Sequence, residues 1–182
     1  MKRTSTVWPG LLAAALCALF AAPALAQLST TANGPYYAAP SWNQKLATNR
    51  FVVLANWNGE AVLDRETGLV WERSPDGDGR RWLQAQSHCN NRVVGGRKGW
   101  RVPQAQELAS LVDPGVAAPG PTLPPGHPFL GVGTIYWTVT ASTQVGPGSW
   151  VVDFFGGLVG AMGNDNLQSV WCVRGSSGAD VQ

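Results

Sequence analysis

Few side chains in this chain have the type and spacing to carry chemistry. Arg92, Arg97, Lys98 and Arg101 fall within ten residues, preceded by Arg80 and Arg81, and the first three sit in a glycine-rich stretch that could present them to a sulfated or otherwise anionic polymer. Two acidic turns offer oxygen ligands. Asp76-Gly77-Asp78-Gly79 imitates part of a calcium loop without its late glutamate, and Asn164-Asp165-Asn166 is the second, with Asp165 the stronger candidate. Turn formation by Asp, Asn and Gly accounts for both without metal, so no cofactor is assigned and calcium is left open. His88 and His127 have no nucleophile near them in a catalytic pattern, and His127, between Gly126 and Pro128, reads as a surface loop residue. Gly157, Gly160 and Gly163 open no helix and are not a phosphate loop. Arg101 and Glu107 read as mutual neutralisation and helix-end hydrogen bonding rather than as a catalytic pair.

Before these groups can be placed, the N-terminus must be set aside. Lys2 and Arg3, an apolar stretch from Leu11 to Ala22 and the small-residue pattern Ala24-Leu25-Ala26 read as a cleavable signal peptide over residues 1–26. The apolar stretch is shorter than the roughly 20 residues a membrane span requires. Its removal leaves 156 of 182 residues, the length of one ordinary domain, without a transmembrane segment. The remaining chain carries 11 basic and 11 acidic residues, which gives no argument for nucleic acid. Of three cysteines, Cys89 and Cys172 survive. An even pair in an exported chain is most simply a disulfide, the rival being a two-cysteine metal site for which the two histidines are poorly spaced. The expected location is periplasmic or secreted.

Residues 27–49 are small and polar and read as a flexible leader, 50–176 as the domain, and 177–182 as a tail. Phe51 to Leu54 is a short strand, and Ala61–Asp64 and Leu69–Glu72 flank Arg65-Glu66-Thr67-Gly68 as a hairpin. After a turn-rich Ser74 to Gly79, Trp82, Ala85, Gln86 and Cys89 fall at helical spacing. A second helix is expected with Pro103 at its first position and Leu108, Leu111 and Val112 as its apolar stripe, ending at Asp113-Pro114. Pro114 to Gly133 reads as a surface loop that takes no part in the core. Four strand-like runs follow, Ile135–Thr140, Trp150–Phe154, Leu158–Met162 and Val170–Arg174. Strands and helices without βαβ alternation give an α+β class. Most tryptophans lie inside these elements and are expected in the core, with Trp57 and Trp150 the two expected to face outward and Trp150 a candidate sugar platform.

Together Thr67-Gly68-Leu69-Val70-Trp71, Trp82 with Cys89, Trp100-Arg101-Val102-Pro103 with Glu107-Leu108, Tyr136-Trp137, Trp150-x-Val152-x-Phe154 and Val170-x-Cys172-Val173-Arg174-Gly175 resemble the Lcl C-terminal domain family, a domain of unknown function named for a Legionella collagen-like protein. The segment Arg101-x-Pro103-x-x-x-Glu107 is also similar to one in the formylglycine-generating enzymes. The resemblance implies a C-type lectin-like fold: two helices packed on small twisted antiparallel sheets, with a disulfide from the first helix to the last strand, the positions of Cys89 and Cys172. Trp100, Arg101, Pro103 and Glu107 would be its structural motif. Those enzymes use two late cysteines and this chain has one, so the resemblance implies no enzyme. The family's association with adhesion to glycosaminoglycans implies a carbohydrate-binding, adhesin-like module, with Arg92, Arg97, Lys98, Trp150, Asp165 and Asn166 as candidate ligand contacts. The alternative partner is an envelope protein.

Overall fold

The computed structural model describes residues 50–175. The expected signal peptide, leader and tail, residues 1–26, 27–49 and 177–182, lie outside the described residues. Strands β1 (Phe51–Val53), β2 (Ala61–Asp64), β3 (Val70–Glu72) and β4 (Asp76–Arg80) precede helices α1 (Trp82–Asn91) and α2 (Ala105–Ala109). Strands β5 (Ile135–Ser142), β6 (Gly148–Asp153), β7 (Leu158–Gly163), β8 (Gln168–Val170) and β9 (Val173–Arg174) follow. Two sheets form, one in the order β1-β2-β3-β9 and one in the order β4-β8-β5-β6-β7. Every pairing is antiparallel except the single parallel contact of β5 with β8 at Tyr136 and Ser169.

The first sheet is organised by the β2–β3 turn. Asp64, fully buried, accepts hydrogen bonds from the Glu66 N–H and the Thr67 hydroxyl at 3.0 Å each. Arg50 forks onto the same carboxylate at 2.9 and 2.7 Å and donates a third bond to the Ser110 carbonyl, tying the start of β1 to the end of α2. A buried carboxylate satisfied on every side fixes the hairpin register and joins it to the helix.

Sequence and structure part company at four elements. The residues expected as a turn, Asp76 to Gly79, form β4 and pair with β8 across a register shift. Pro103 is not the first residue of α2: the Arg101 N–H and carbonyl are exchanged with Val173, which keeps residues 101–103 extended, and the helix starts two residues later. The Glu107 carboxylate marks that start by accepting the Gln104 N–H at 2.8 Å. The proline-rich loop does contribute to the core, because Thr122, Leu123 and Phe129 are buried. Its backbone runs beside the residues that follow β6, with the Thr122 N–H on the Phe154 carbonyl and the Gly120 N–H on that of Phe155, so its apolar side chains have somewhere to go.

The fourth difference shapes the whole domain. The run expected as one strand, Val170 to Arg174, divides between the sheets: β8 belongs to the second and β9 to the first, and Trp171-Cys172 cross between them. The crossing is held by Glu72. Its N–H donates to the Cys172 carbonyl at 3.2 Å, its carboxylate accepts the Cys172 N–H at 3.0 Å, and its carbonyl accepts the Trp171 indole N–H at 2.9 Å. Trp171 then lies against Trp71, Phe129, Tyr136 and Phe154, with ring centroids 4.9 to 5.8 Å apart. Cys172 closes a disulfide to Cys89 in α1, with Cα atoms 5.5 Å apart. Trp171 is thus the centre of one apolar cluster, with Leu108, Leu111 and Val152, and the disulfide belongs to the other, with Trp57, Trp100 and Trp137.

The bridge spans 83 residues of sequence. Replacing both cysteines, Cys89→Ser with Cys172→Ser, is expected to lower unfolding stability by about 4 kcal/mol on the chain-entropy account. Urea titration followed by tryptophan fluorescence measures it.

Candidate functional site

The basic run is where sequence reasoning placed the ligand, and the structure divides it. Arg92, just past α1, directs its Nε to the Glu72 carboxylate at 2.5 Å. Glu72 is 1% exposed, and burial pushes its carboxyl up against the opposing pull of Arg92 and the Cys172 N–H. Arg92 is therefore a counter-ion of the core rather than a free loop cation, because a buried carboxylate needs a partner.

Arg97 and Lys98 do share an outward loop. Val94 and Arg97 exchange both backbone hydrogen bonds at 3.1 and 3.0 Å across Gly95 and Gly96, which take φ of +58° and +71°. Positive φ at both central residues makes this a tight turn of the hairpin kind, open to glycine. At Gly95 a Cβ would also meet the Trp57 Cβ at 2.5 Å and its carbonyl oxygen at 2.8 Å, so the turn packs on the Trp57 backbone.

Trp57, expected outside, is 1% exposed and is the floor of this site. The Arg97 guanidinium lies 4.3 Å from its ring centroid and that of Arg174 5.4 Å. Arg97 is fixed there by hydrogen bonds to the Gly95 and Asn56 carbonyls at 2.9 and 3.2 Å, and the Trp100 indole N–H holds the Arg97 carbonyl at 2.8 Å. Lys98 stands exposed beside them. Two guanidiniums on one indole, together with a lysine, concentrate positive charge on a rigid platform. Among the described residues none of the three forms an ion pair with a carboxylate. Arg174 was missed in the sequence because it is remote from the basic run, and its place two residues after Cys172 was the signal that could have found it.

Other candidates are positioned elsewhere. Arg101 binds Glu107 through two bonds of 2.7 Å and reaches the Gly175 carbonyl, which ties α2 to the end of β9. Trp150 is half-buried on β6 opposite Ala161, and Asp165 and Asn166 lie exposed in the turn between β7 and β8. The Asn166 side chain donates to the Gly163 carbonyl and that of Asn164 accepts from Ser149, so the turn's own bonds use these amides. Asp76 and Asp78 face the Arg80 guanidinium at 3.0 and 3.7 Å. No group of three His, Cys, Asp or Glu side chains suited to a metal occurs among the described residues.

The histidines are structural. His127 is half-buried, stacked on Phe129 with its Nδ1 accepting the Phe129 N–H, and burial lowers its pKa; it is not a free surface residue. His88 has a buried Nε2 that lies 3.4 Å from Asp76 and makes no hydrogen bond there. Burial, with Arg80 and Arg92 nearby, lowers its pKa. Burial alone would raise Asp76, but the Asp78 N–H and Arg80 outweigh it and hold that carboxyl low.

An α+β domain of two helices and two sheets, closed by one disulfide and carrying a rigid basic platform, is the class of protein that emerges. The family model of the Lcl C-terminal domain matches residues 60–174, and the chain belongs to that family. Comparison with curated proteins gives no match. Among the described residues no helix is long and apolar enough to cross a membrane.

Two stability measurements test the charge assignments. Arg92→Ala should cost about 2–3 kcal/mol, less than for a fully buried pair because the guanidinium side chain is 35% exposed. Arg97→Ala should cost about 1 kcal/mol or less, the worth of a cation–π contact. The second measurement is pH dependence. A lowered His88 pKa means the unfolded chain takes up its proton first, so stability is complete above the ordinary value of 6.5 and declines as pH falls through the window beneath it. Glu72, raised from 4.5, acts in the opposite sense as pH rises, so the comparison must be between variants. Melting of His88→Gln against wild type should show the acid-side decline reduced in the variant.

Proposed function

We propose that the chain is a noncatalytic, exported binding module of C-type lectin-like fold, periplasmic or secreted, that recognises an anionic glycan or another anionic surface polymer. The observation that carries this reading is the pair of guanidiniums, Arg97 and Arg174, ordered over Trp57 with Lys98 beside them. Ordering the cations before binding reduces the entropy lost when a flexible polyanion settles on them. Salt-sensitive capture of repeated anionic groups is the behaviour such a platform favours. The loop of residues 95–99 and Arg174 both lie within the segment that the family model matches.

An envelope protein partner is the second reading. Strand β7 favours it: an outer strand of the five-stranded sheet, paired with β6 over six residues without a bulge and without a charged residue. Such an edge has free backbone groups for an added strand.

Immobilised heparin, used as a polyanion probe, tests the first reading. The wild-type protein should be retained at low salt and released as salt rises. The combined variant Arg97→Ala, Lys98→Ala, Arg174→Ala should elute at clearly lower salt while still folded. If neither heparin nor a broad glycan array retains the wild type above a control with its disulfide reduced, the polymer-binding reading is wrong.

A further inference from the structure

A cleft of about 280 Å³ opens between the start of β2, the end of β3 and the segment after α1. The Glu72–Arg92 pair, Glu60 and Arg73 line it, with Val93 and Leu130 at its exposed rim. Both rim residues are large, apolar and about half exposed, at 53% and 51%.

Glu60 and Arg73 lie one step beyond the register pair Ala61 and Glu72, and the Arg73 N–H donates to the Glu60 carbonyl at 2.8 Å. Opposite charges so placed across antiparallel strands ordinarily close on each other. Here each side chain is held by another bond. Glu60 accepts the Gly95 N–H at 2.6 Å, while Arg73 donates its Nε to the Pro128 carbonyl at 3.1 Å and its Nη1 to the Gly59 carbonyl at 3.3 Å. Among the described residues no N–O contact within 4.0 Å joins the two. One anchored carboxylate and one anchored guanidinium thus line the same cleft without neutralising each other. Arg92, engaged with Glu72 through its Nε, lines the cleft as a second guanidinium.

Two carboxylates and two guanidiniums make the cleft neutral in sum, which sets it apart from the basic platform. A polyanion would meet Glu60 and a simple cation would meet Arg73. A molecule carrying both charges, with an apolar group beside them, meets neither penalty. The volume is at the low end for small-ligand sites and suits one small molecule rather than a chain.

We propose that this cleft binds a free α-amino acid with an apolar side chain. Its carboxylate is held by Arg73 and the outer edge of Arg92, its ammonium by Glu60, and its side chain lies between Val93 and Leu130. Guanidinium and carboxylate planes match, which favours that orientation over the reverse.

The test is titration of the isotope-labelled, disulfide-intact protein with L-leucine, leucinamide and N-acetylleucine, followed by amide chemical shifts. Leucine should give saturable shifts at Gly59, Gly95 and Leu130, and each blocked analogue should bind about tenfold more weakly or worse. Glu60→Gln keeps an acceptor for the Gly95 N–H, so the turn persists. It should weaken leucine by about tenfold while N-acetylleucine binding and heparin retention do not weaken. Absence of saturable shifts with leucine, equal binding of all three compounds, or unchanged leucine affinity in Glu60→Gln would each overturn the proposal. Heparin retention, read separately, keeps that result distinct from failure of the polymer-binding reading.

Discussion

A single buried carboxylate, that of Glu72, holds the two halves of this domain to each other. Its side chain and backbone together engage Trp171, Cys172 and Arg92. Without those bonds the Trp171-Cys172 segment would carry unsatisfied backbone groups through the core at the point where the chain passes from one sheet to the other. The disulfide and the aromatic cluster follow from this crossing: Trp171 is delivered to one apolar cluster and Cys172 to the other. Burial opposes the charge on Glu72 and keeps its carboxyl raised, with Arg92 and the Cys172 N–H offsetting part of that cost.

The same economy of polar groups shapes the surface. Arg97 does not hang from a mobile loop but is held over an indole that is itself in the core, by a two-glycine turn packed on the Trp57 backbone. Glu60 helps hold that turn through Gly95, and by doing so it is drawn from Arg73. One hydrogen bond therefore links the basic platform to the neighbouring cleft, so the two surfaces are adjacent without sharing their charge.

Local signals were legible in the sequence wherever the determining contacts are local. The β2–β3 hairpin follows from the Asp64 to Gly68 turn, and α1 from the spacing of Trp82, Ala85 and Cys89. The cysteine pair was legible because few alternatives compete for it. What the sequence hid depends on distant partners. Arg92 looks like its neighbours in a basic run until Glu72, twenty residues earlier, claims it. Trp57 looks exposed between polar residues until Gly95 and Arg97 close over it. Asp76 to Gly79 has the composition of a turn and becomes a strand because β8 offers an edge to pair with. Pro103 had the right residue type for a helix start, but Val173 holds Arg101 extended and delays the helix.

The closing strand β9 has a consequence for how the molecule comes into being. It pairs with β3, and the Cys172 N–H bonds Glu72 across 100 residues of sequence. Neither sheet can be completed from an emerging chain: β8 inserts between β4 and β5, and β9 covers β3, and both come at the very end of the domain. Until those last residues appear, β3 keeps an open edge and the Trp71 cluster lacks its central ring. Both sheets therefore close only once the final segment is in place, and the two apolar clusters are completed by the same few residues.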